Sequence, residues 1–255
     1  MVTDQIKAVV LAAGKGTRLQ TDDSDAPKVM RKACGKPLLW YVLVALSFIE
    51  KKDVVIVVGY KKDDVLDYFT GYIYAEQAEQ LGTGHAVMAA ESELAGYPGA
   101  VLVCYGDMPV VRRETYEALI SAHFEAGNDC TILSMDSPQP LPYGRIVRSP
   151  DGEFLQITEA RDCTPEQLKI TELNSGIYVF SAPVLLRALK SLTRNNAQGE
   201  YYITDAPAII RGEGGKVGAL KRDIGDEIIG VNTLQQLAQV EEILFAHRRT
   251  QFAPT

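Results

Sequence analysis

A glycine-rich loop close to the start of the chain has the residue types that bind phosphate. Gly14 and Gly16 allow backbone N–H groups to approach an oxyanion closely, and Lys15 and Arg18 place positive charge beside them. The loop is not a dinucleotide fingerprint, because Leu19 stands where a third glycine is needed, and no Gly-Lys-Ser or Gly-Lys-Thr makes it a Walker loop. A motif as short as this one more often forms a simple solvated glycine turn, so the loop alone does not establish a phosphate site.

The segment around this loop reverses the sign of the chain's charge. Residues 13–36 have a net charge of +3, whereas the whole chain has −7. The charged residues of the segment are Lys15, Arg18, Lys28, Arg31, Lys32 and Lys36 against Asp22, Asp23 and Asp25. Such a local excess of cations suits a polyanion such as a triphosphate.

A carboxylate follows an apolar run in the middle of the chain. Gly106 permits a tight turn after the run 100–105, and Asp107 then faces the same cleft as the glycine-rich loop. A carboxylate there could hold Mg²⁺, which takes one or two protein oxygens and completes its shell with water and substrate phosphates. An Asp that only stabilises a turn explains this single residue equally well.

These residues lie at the ends of a predicted alternation of strands and helices. Apolar runs predict strands at 8–13, 53–59, 72–75 and 100–105, with helices at 37–50, 63–69, 85–93 and 114–126. Pro37 suits the first position of its helix because a missing N–H does no harm there. The order predicts a doubly wound α/β unit, which binds ligands at the carboxyl ends of its parallel strands. Beyond residue 130 the pattern predicts strands at 131–135, 145–147, 154–157, 176–180 and 217–220, and helices at 183–192, 204–210 and 233–248.

Composition excludes several classes of protein. The 255 residues are 46% apolar and 23% charged, which excludes a disordered or collagen-like chain. The negative net charge argues against nucleic acid, and the longest apolar stretch, 38–49, is shorter than the roughly 18 to 20 residues of a membrane helix. Residues 1–7 lack the pattern of a signal peptide, so a cytoplasmic location is expected. The four cysteines and three histidines are too scattered for a zinc site or a disulfide framework.

Seven motifs in the same order give the chain its resemblance to a known family. They are LAAGKGTR at 11–18 with Pro27 and Lys28, QAEQLGTGHA at 77–86, YGD at 105–107, YGRI at 143–146, LNSG at 173–176, NAQGEYYITD at 196–205 and GVN at 230–232. Over residues 9–242 the chain resembles the sugar-nucleotide pyrophosphorylases, and most specifically the N-acetylglucosamine-1-phosphate uridylyltransferase family. Each motif singly has a structural explanation, but seven in family order are hard to produce by chance.

The resemblance implies a role for each matching position. Arg18 and Lys28 are the expected catalytic residues at the phosphates, where Arg18 would draw charge from the leaving pyrophosphate. Asp107 and Asn232 match the family's Mg²⁺ ligands, and both are oxygen donors. The expected nucleotide-binding residues are Leu11, Ala12, Ala13, Gly14, Lys15, Gly16, Thr17, Gln77, Gly82 and Thr83. The expected sugar-binding residues are Tyr105, Gly144, Glu159, Asn174, Tyr202 and Thr204.

Two residues of the 77–86 motif have different expected roles. Gln77 matches the family's uracil-reading position, although an amide offers both a donor and an acceptor and does not by itself separate uracil from cytosine. His85 is expected to be a structural histidine near a helix start, because the attacking sugar phosphate is an anion and needs no general base.

The alternation and the resemblance together imply the fold and the reaction. We expect an α/β protein with a Rossmann-like nucleotidyltransferase fold, a mixed, mainly parallel central sheet and a strand-rich sugar-binding lobe. Residues 1–249 are expected to form a single domain, with a nucleotide-binding half at 1–109, a sugar-binding half at 110–232 and a C-terminal helix at 233–249. The implied reaction is Mg²⁺-dependent transfer of a uridylyl group from UTP to N-acetylglucosamine-1-phosphate. Another sugar-1-phosphate, another nucleoside triphosphate, or a non-catalytic regulator that binds nucleotide sugars stays open.

The chain departs from the family pattern in two places. The stretch 19–27 is longer and more acidic than the usual loop, which could change its closure over the phosphates. Bifunctional members continue into a hexapeptide-repeat helix that transfers acetyl groups and builds a trimer, whereas only residues 250–255 follow the last predicted helix here. Acetyl transfer and that trimer are therefore not expected. The expected partners are UTP and a sugar-1-phosphate, without nucleic acid or membrane, in a monomer or a small homo-oligomer.

Overall fold

A central β-sheet with helices on both faces forms the framework of the chain, which the computed structural model describes at residues 5–19, 25–139 and 141–251. The strands are β1 (Ile6–Leu11), β2 (Lys32–Ala33), β3 (Lys36–Pro37), β4 (Val54–Val58), β5 (Ile73–Glu76), β6 (Ala100–Tyr105), β7 (Cys130–Asp136), β8 (Arg145–Arg148), β9 (Phe154–Thr158), β10 (Glu172–Ser181) and β11 (Val217–Lys221). The α-helices are α1 (Leu38–Ala45), α2 (Lys62–Tyr68), α3 (Thr83–Ala89), α4 (Glu91–Leu94), α5 (Arg113–Ala126), α6 (Ala182–Leu189), α7 (Ala206–Gly212) and α8 (Leu234–Gln251).

The sheet is mixed but mainly parallel. Its strands lie in the order β11, β7, β10, β6, β1, β4 and β5, and β10 is antiparallel to both of its neighbours. The remaining adjacent pairs in this order are parallel. Strand β8 pairs with β10 and with β9, both antiparallel. The expected fold class is therefore confirmed.

Strands β1, β4 and β6 are buried on both faces, as their apolar runs predict. Successive side chains along a strand point to opposite faces, so Val10 and Ile56 lie in one hydrophobic cluster while Val9 and Val55 lie in another. Helices α1 and α5 cover the first cluster, and α3, α6 and α7 cover the second. The two layers hold the carboxyl ends of the three strands side by side at one edge of the sheet.

A short hairpin that the sequence did not predict precedes α1. Strands β2 and β3 pair through Lys32 with Pro37 and through Ala33 with Lys36. In its turn Cys34 has a φ of 48°, which is uncommon for a residue with a Cβ. Pro37 is therefore paired in β3 and is the N-cap of α1, so its predicted place as the first helical residue is wrong. The helix also ends at Ala45, earlier than the apolar pattern indicated.

Strand β10 is longer than its apolar pattern predicts. It begins at Glu172, four residues before the predicted start, and its pairing with β7 shifts register between Asn174 and Tyr178. Gly176, within this shift, has a φ of 84°. The extension brings Asn174 and Ser175 into the buried part of the sheet.

Helix α8 packs across the hairpin. A third hydrophobic cluster joins Leu19, Ala33 and Leu38 to Val240 of the helix. The backbone N–H of Cys34 also donates to Glu241 Oε1 over 2.8 Å. Within the described part of the chain, α8 included, no helix combines the length and the apolar character needed to cross a membrane.

Candidate active site

Two adjoining cavities lie at the edge of the sheet where β1 and β6 end. The first has a volume of about 230 Å³ and the second about 250 Å³. Lys28, Tyr105 and Asp107 line both cavities, and we call these three residues the shared wall. Ligands bound in the two cavities would therefore meet at the same three side chains.

Most of the predicted nucleotide-binding residues surround the first cavity. Those in its lining are Leu11, Ala13, Gly14, Gln77, Gly82 and Thr83. Ala12, Lys15, Gly16 and Thr17 are outside that lining, and Lys15 Nζ lies 5.1 Å from the centroid of the Tyr60 ring. The backbone of Arg18 belongs to a 3-10 helix at Thr17–Leu19, but its side chain lies outside the described residues, as do residues 20–24 of the acidic stretch.

Gly16 is required because the glycine-rich loop packs against Lys28. Its φ of 68° lies in the left-handed region, and a Cβ there would come within 2.7 Å of Lys28 Cβ and 3.1 Å of Lys28 Cα. At Gly14, by contrast, a Cβ would make only an ordinary van der Waals contact, 3.9 Å from Lys28 Cδ. The second glycine thus fixes the loop against Lys28, and a side chain at this position would push the two apart.

The Lys28 ammonium contacts both predicted metal ligands. Its Nζ forms an ion pair with Asp107 and donates a hydrogen bond to Asn232 Oδ1 over 2.8 Å. The side chains of Lys28 and Asp107 are only 16% and 13% exposed, so water screens their interaction weakly. Two oxygens therefore already converge on one cation, and an oxygen pair of this kind fits a hard divalent ion such as Mg²⁺. Among residues 5–19, 25–139 and 141–251, no cluster of three His, Cys, Asp or Glu side chains offers another metal site.

Local hydrogen bonds hold Asn232 beside Asp107. The backbone N–H of Val231 donates to Asp107 O over 2.9 Å. Gln236 Oε1 accepts from the backbone N–H of Asn232 over 2.8 Å, while the backbone N–H of Gln236 donates to Thr233 Oγ1 over 3.2 Å. This reciprocal cap of α8 resembles a capping box, which satisfies backbone donors at a helix start. The start of α8 therefore fixes the backbone of Asn232.

A buried amide forms the far side of the first cavity. Gln77 is 4% exposed, its Nε2 donates to Gly82 O over 3.0 Å, and the same nitrogen lies 3.1 Å from His85 Nδ1. Gln80 also lines the cavity and donates from Nε2 to Ala13 O over 2.7 Å. Sequence reasoning did not single out Gln80, although it stands within the 77–86 motif.

A segment from the second half of the chain docks onto this motif. Tyr201 N donates to Leu81 O over 2.8 Å, and Gly84 N donates to Tyr201 O over 2.7 Å. Thr83 Oγ1 accepts from the backbone N–H of Ile203 over 3.1 Å. Glu200 of the same segment also lines the first cavity, although no role was predicted for it.

Four of the predicted sugar-binding residues line the second cavity. Tyr105 belongs to the shared wall, and Gly144, Glu159 and Asn174 lie beside it. Tyr202 and Thr204 are buried outside the lining, and Thr204 acts on the cavity indirectly, because its Oγ1 donates to Glu159 Oε1 over 3.0 Å. Asn174 donates from Nδ2 to the Tyr178 hydroxyl over 2.8 Å, which fixes the orientation of its amide.

Burial changes the ionisation of two groups at the second cavity. Burial raises the pKa of the Glu159 carboxyl. The hydrogen bond from Thr204 partly offsets this increase, and the negative charges of Asp162 and Asp205 add to it. Burial also raises the pKa of the Tyr105 phenol, and the nearby carboxylates of Glu159 and Asp107 raise it further. The ring of Tyr105 has room because Gly176 has no side chain, and a Cβ there would come within 2.8 Å of it.

Comparisons with known proteins show the family to which the chain belongs. The sequence profile of the MobA-like NTP transferase domain matches residues 8–199. The bifunctional protein GlmU of Clostridium beijerinckii is 47% identical over 241 residues, and that of Caldanaerobacter subterraneus is 43% identical over 242 residues. These alignments cover 93% and 94% of this chain but only 51% and 52% of the relatives, so the chain spans about half the length of the curated relatives it matches.

A solved structure supports the fold independently of sequence. A chain from Bacillus anthracis, described as a glucose-1-phosphate thymidylyltransferase in complex with sucrose, superposes with a TM-score of 0.74. The match covers 93% of this chain and 94% of that one. Because the sequences are only 18% identical, the match supports the fold alone. The resemblance inferred from the seven motifs is confirmed by the GlmU relatives. The chain therefore belongs to the family of MobA-like NTP transferase domains and is a nucleotidyltransferase.

Proposed function

We propose that this nucleotidyltransferase transfers a uridylyl group from UTP to N-acetylglucosamine-1-phosphate, giving UDP-N-acetylglucosamine and pyrophosphate. The observation that carries the proposal is the shared wall, because Lys28, Tyr105 and Asp107 face both cavities. A nucleotide in the first cavity and a sugar phosphate in the second would bring their reacting phosphates together there. The 43–47% identity to GlmU proteins supports this choice of nucleotide and acceptor.

The reaction needs positioning and charge neutralisation more than proton transfer. An oxygen of the sugar phosphate, already an anion, forms a bond to the α-phosphorus of UTP while the bond to pyrophosphate breaks in line. Lys28 neutralises phosphate charge at the junction, and Arg18 is proposed, on the family resemblance, to act on the leaving pyrophosphate. Asp107 and Asn232 would hold Mg²⁺, which neutralises charge on the phosphate oxygens when bound.

The remaining proposed roles follow the lining of each cavity. On the nucleotide side the loop 11–17 would bind phosphates, and Gln77 with Gly82 and Thr83 would bind the base. On the sugar side Gly144, Glu159 and Asn174 would contact the sugar, while Thr204 orients Glu159 and Tyr202 packs behind it. We further propose that residues 1–249 form one catalytic domain, divided as 1–109, 110–232 and 233–249, and that the enzyme acts in the cytoplasm.

The test is pyrophosphate release from UTP and N-acetylglucosamine-1-phosphate in the presence of Mg²⁺. Parallel reactions contain glucose-1-phosphate as the acceptor, CTP as the nucleotide, or the Asp107→Asn variant. Release with UTP and the acetylated sugar, weakened by Asp107→Asn, is the expected result. Release only with another acceptor or nucleotide would retain the chemistry and change the substrate. Tight binding of UDP-sugar without release from any pair would instead favour a non-catalytic regulator.

A further inference from the structure

The amide of Gln77 is held in one orientation. The Gly82 carbonyl can only accept a hydrogen bond, so the nitrogen and not the oxygen of the Gln77 amide faces it, at 3.0 Å. The second hydrogen of the same nitrogen points to His85 Nδ1, 3.1 Å away. Nδ1 therefore accepts this bond and the imidazole proton lies on Nε2. Both amide hydrogens are used within the protein.

Both acceptors are themselves fixed by the surrounding chain. Gly82 has a φ of 112°, and a Cβ there would come within 2.5 Å of Tyr201 O, so the loop is tightly enclosed. Its carbonyl also accepts from Ala86 N over 3.1 Å at the start of α3. The His85 ring stacks on the Tyr201 ring, with centroids 6.3 Å apart. Neither acceptor can turn away easily, which makes the two hydrogen bonds an effective lock on the amide.

The consequence of this lock is chemical selectivity. Among the contacts of the described residues, Gln77 Oε1 is the polar atom of this side chain that is left for a ligand of the first cavity. An oxygen can only accept, so it matches the N3–H donor of uracil and opposes the lone pair at N3 of cytosine. We propose that His85 is a positioning residue, which fixes the Gln77 amide so that the site selects a pyrimidine with a hydrogen on N3. The inference rests on the proposed nucleotide site.

Two substitutions separate this role from simple packing. His85→Phe keeps an aromatic ring beside Tyr201 but removes the acceptor. His85→Asn removes the ring but keeps an oxygen on the atom that corresponds to Nδ1. Binding of UTP and CTP with Mg²⁺ is measured by calorimetry without any sugar phosphate, so the readout does not depend on turnover. Wild-type protein is also tested with 3-methyluridine triphosphate, which lacks the N3 hydrogen.

The expected results differ between the two variants. Wild type binds UTP more tightly than CTP or 3-methyluridine triphosphate by about a hundredfold, since a site built for a hydrogen bond rejects a ligand that lacks the donor. In His85→Phe the preference for UTP over CTP falls at least about tenfold, and in His85→Asn it stays within about threefold of wild type. Equal loss in both variants, or an unchanged preference in His85→Phe, overturns the role of His85.

The two proposals fail in different ways. Wild-type protein that binds no nucleotide removes the proposed function and the lock with it. Wild-type protein that transfers uridylyl groups, yet binds 3-methyluridine triphosphate as well as UTP, overturns the lock and leaves the proposed function intact. The measurement on wild type can therefore overturn the lock even where a variant does not fold.

Discussion

At the scale of single residues, the position of the Lys28 ammonium has the strongest chemical consequence. It lies against the Asp107 carboxylate and the Asn232 amide oxygen, which are also the proposed metal ligands. This ammonium therefore occupies the two oxygens that would hold a divalent ion. With a metal held there, Lys28 would be free to contact the phosphates of a nucleotide.

Replacing Lys28 separates its contact with the proposed metal ligands from its proposed contact with the phosphates. In Lys28→Met we expect turnover to fall on the order of a hundredfold, because one positioned cation at developing phosphate charge is commonly worth that much. The affinity of the nucleotide-free protein for Mn²⁺, measured by electron paramagnetic resonance, should increase because Asp107 loses its competing cation. Lys32→Met, which changes an exposed lysine of the hairpin, is the matched control and should alter neither quantity. Turnover within tenfold of wild type would contradict the role of Lys28.

The raised pKa of Glu159 predicts a pH dependence for the sugar substrate. Below that pKa the carboxyl is protonated and accepts fewer hydrogen bonds from sugar hydroxyls. As the pH falls, kcat/KM for the sugar phosphate should therefore decline at a pH above the ordinary pKa of a glutamate. Because the sugar phosphate itself titrates in every variant, the comparison with Glu159→Gln isolates this residue. Identical pH profiles for wild type, Glu159→Gln and the surface control Glu117→Gln would contradict the prediction.

Sequence motifs identified these residues but not their mutual arrangement. The YGD and GVN motifs indicated Asp107 and Asn232, and Lys28 was expected at phosphates, yet the contact of its ammonium with both requires chain segments 79 and 204 residues away. Tyr202 and Thr204 belong to a family motif, but both lie outside the lining of the second cavity. The motif could not predict this, because a motif does not show which way a side chain points. Gln80 was missed although it binds the glycine-rich loop directly.

At the scale of elements, the hairpin β2–β3 and helix α8 pack together next to the glycine-rich loop and support it. Their cluster joins Leu19, beside the loop, to Val240 of α8. The sequence predicted α8 closely, at 233–248 against the observed Leu234–Gln251. It missed the hairpin, whose turn depends on a left-handed Cys34 that is held by Glu241 of the distant helix. Such long-range hydrogen bonds leave no local signal in the sequence.

The cap at the start of α8 provides a test of this support. In Gln236→Ala the backbone N–H of Asn232 loses its acceptor. We therefore expect the free energy of unfolding, measured in urea, to decrease by about 1 kcal/mol. The Mg²⁺ concentration for half-maximal activity should also rise, because Asn232 is less well fixed. Gln236→Glu should retain both properties, and Gln235→Ala, on the exposed face of the helix, should change neither. Loss of stability with an unchanged Mg²⁺ titration would mean that the cap supports the helix only.

At the scale of the whole molecule, the central sheet was the most predictable part. Strands β1, β4 and β6 have continuous aliphatic runs because helices cover both of their faces. The beginning of β10 was missed because three of its four buried residues, at 172–175, are polar. Glu172 accepts from Ser134 and pairs with Arg148, and Ser175 donates to Leu133 O. Hydrophobicity cannot reveal a buried strand whose polar groups are satisfied in this way.

A buried histidine outside the linings of the two active-site cavities predicts how the whole fold responds to acid. Burial lowers the pKa of His123 to about 4, and its Nδ1 lies 3.1 Å from Thr131 Oγ1. The unfolded chain takes up a proton as the pH falls below about 6.5, whereas the folded protein does so only near pH 4. The free energy of unfolding should therefore decrease as the pH falls across this window.

Urea unfolding between pH 7 and pH 4 measures this effect. His123→Gln, which stays neutral, should show a smaller decrease in the free energy of unfolding than wild type over the same window. The control variant His85→Asn retains His123. The contribution of His123 to the pH dependence of the free energy of unfolding should therefore be the same in this variant as in wild type. Equal pH dependence in wild type and His123→Gln would exclude His123 as a source of acid sensitivity.

The shared wall has a consequence for how enzymes of this kind can diversify. Apart from Lys28, Tyr105 and Asp107, the linings of the two cavities have no residue in common among those described. If the proposed roles hold, substitutions around Gln77 would change the choice of base, and substitutions around Gly144 and Asn174 would change the choice of sugar, while the shared wall stays as it is. A chain with two cavities that meet at only three side chains would thus be able to change its nucleotide and its sugar phosphate separately, one substrate at a time.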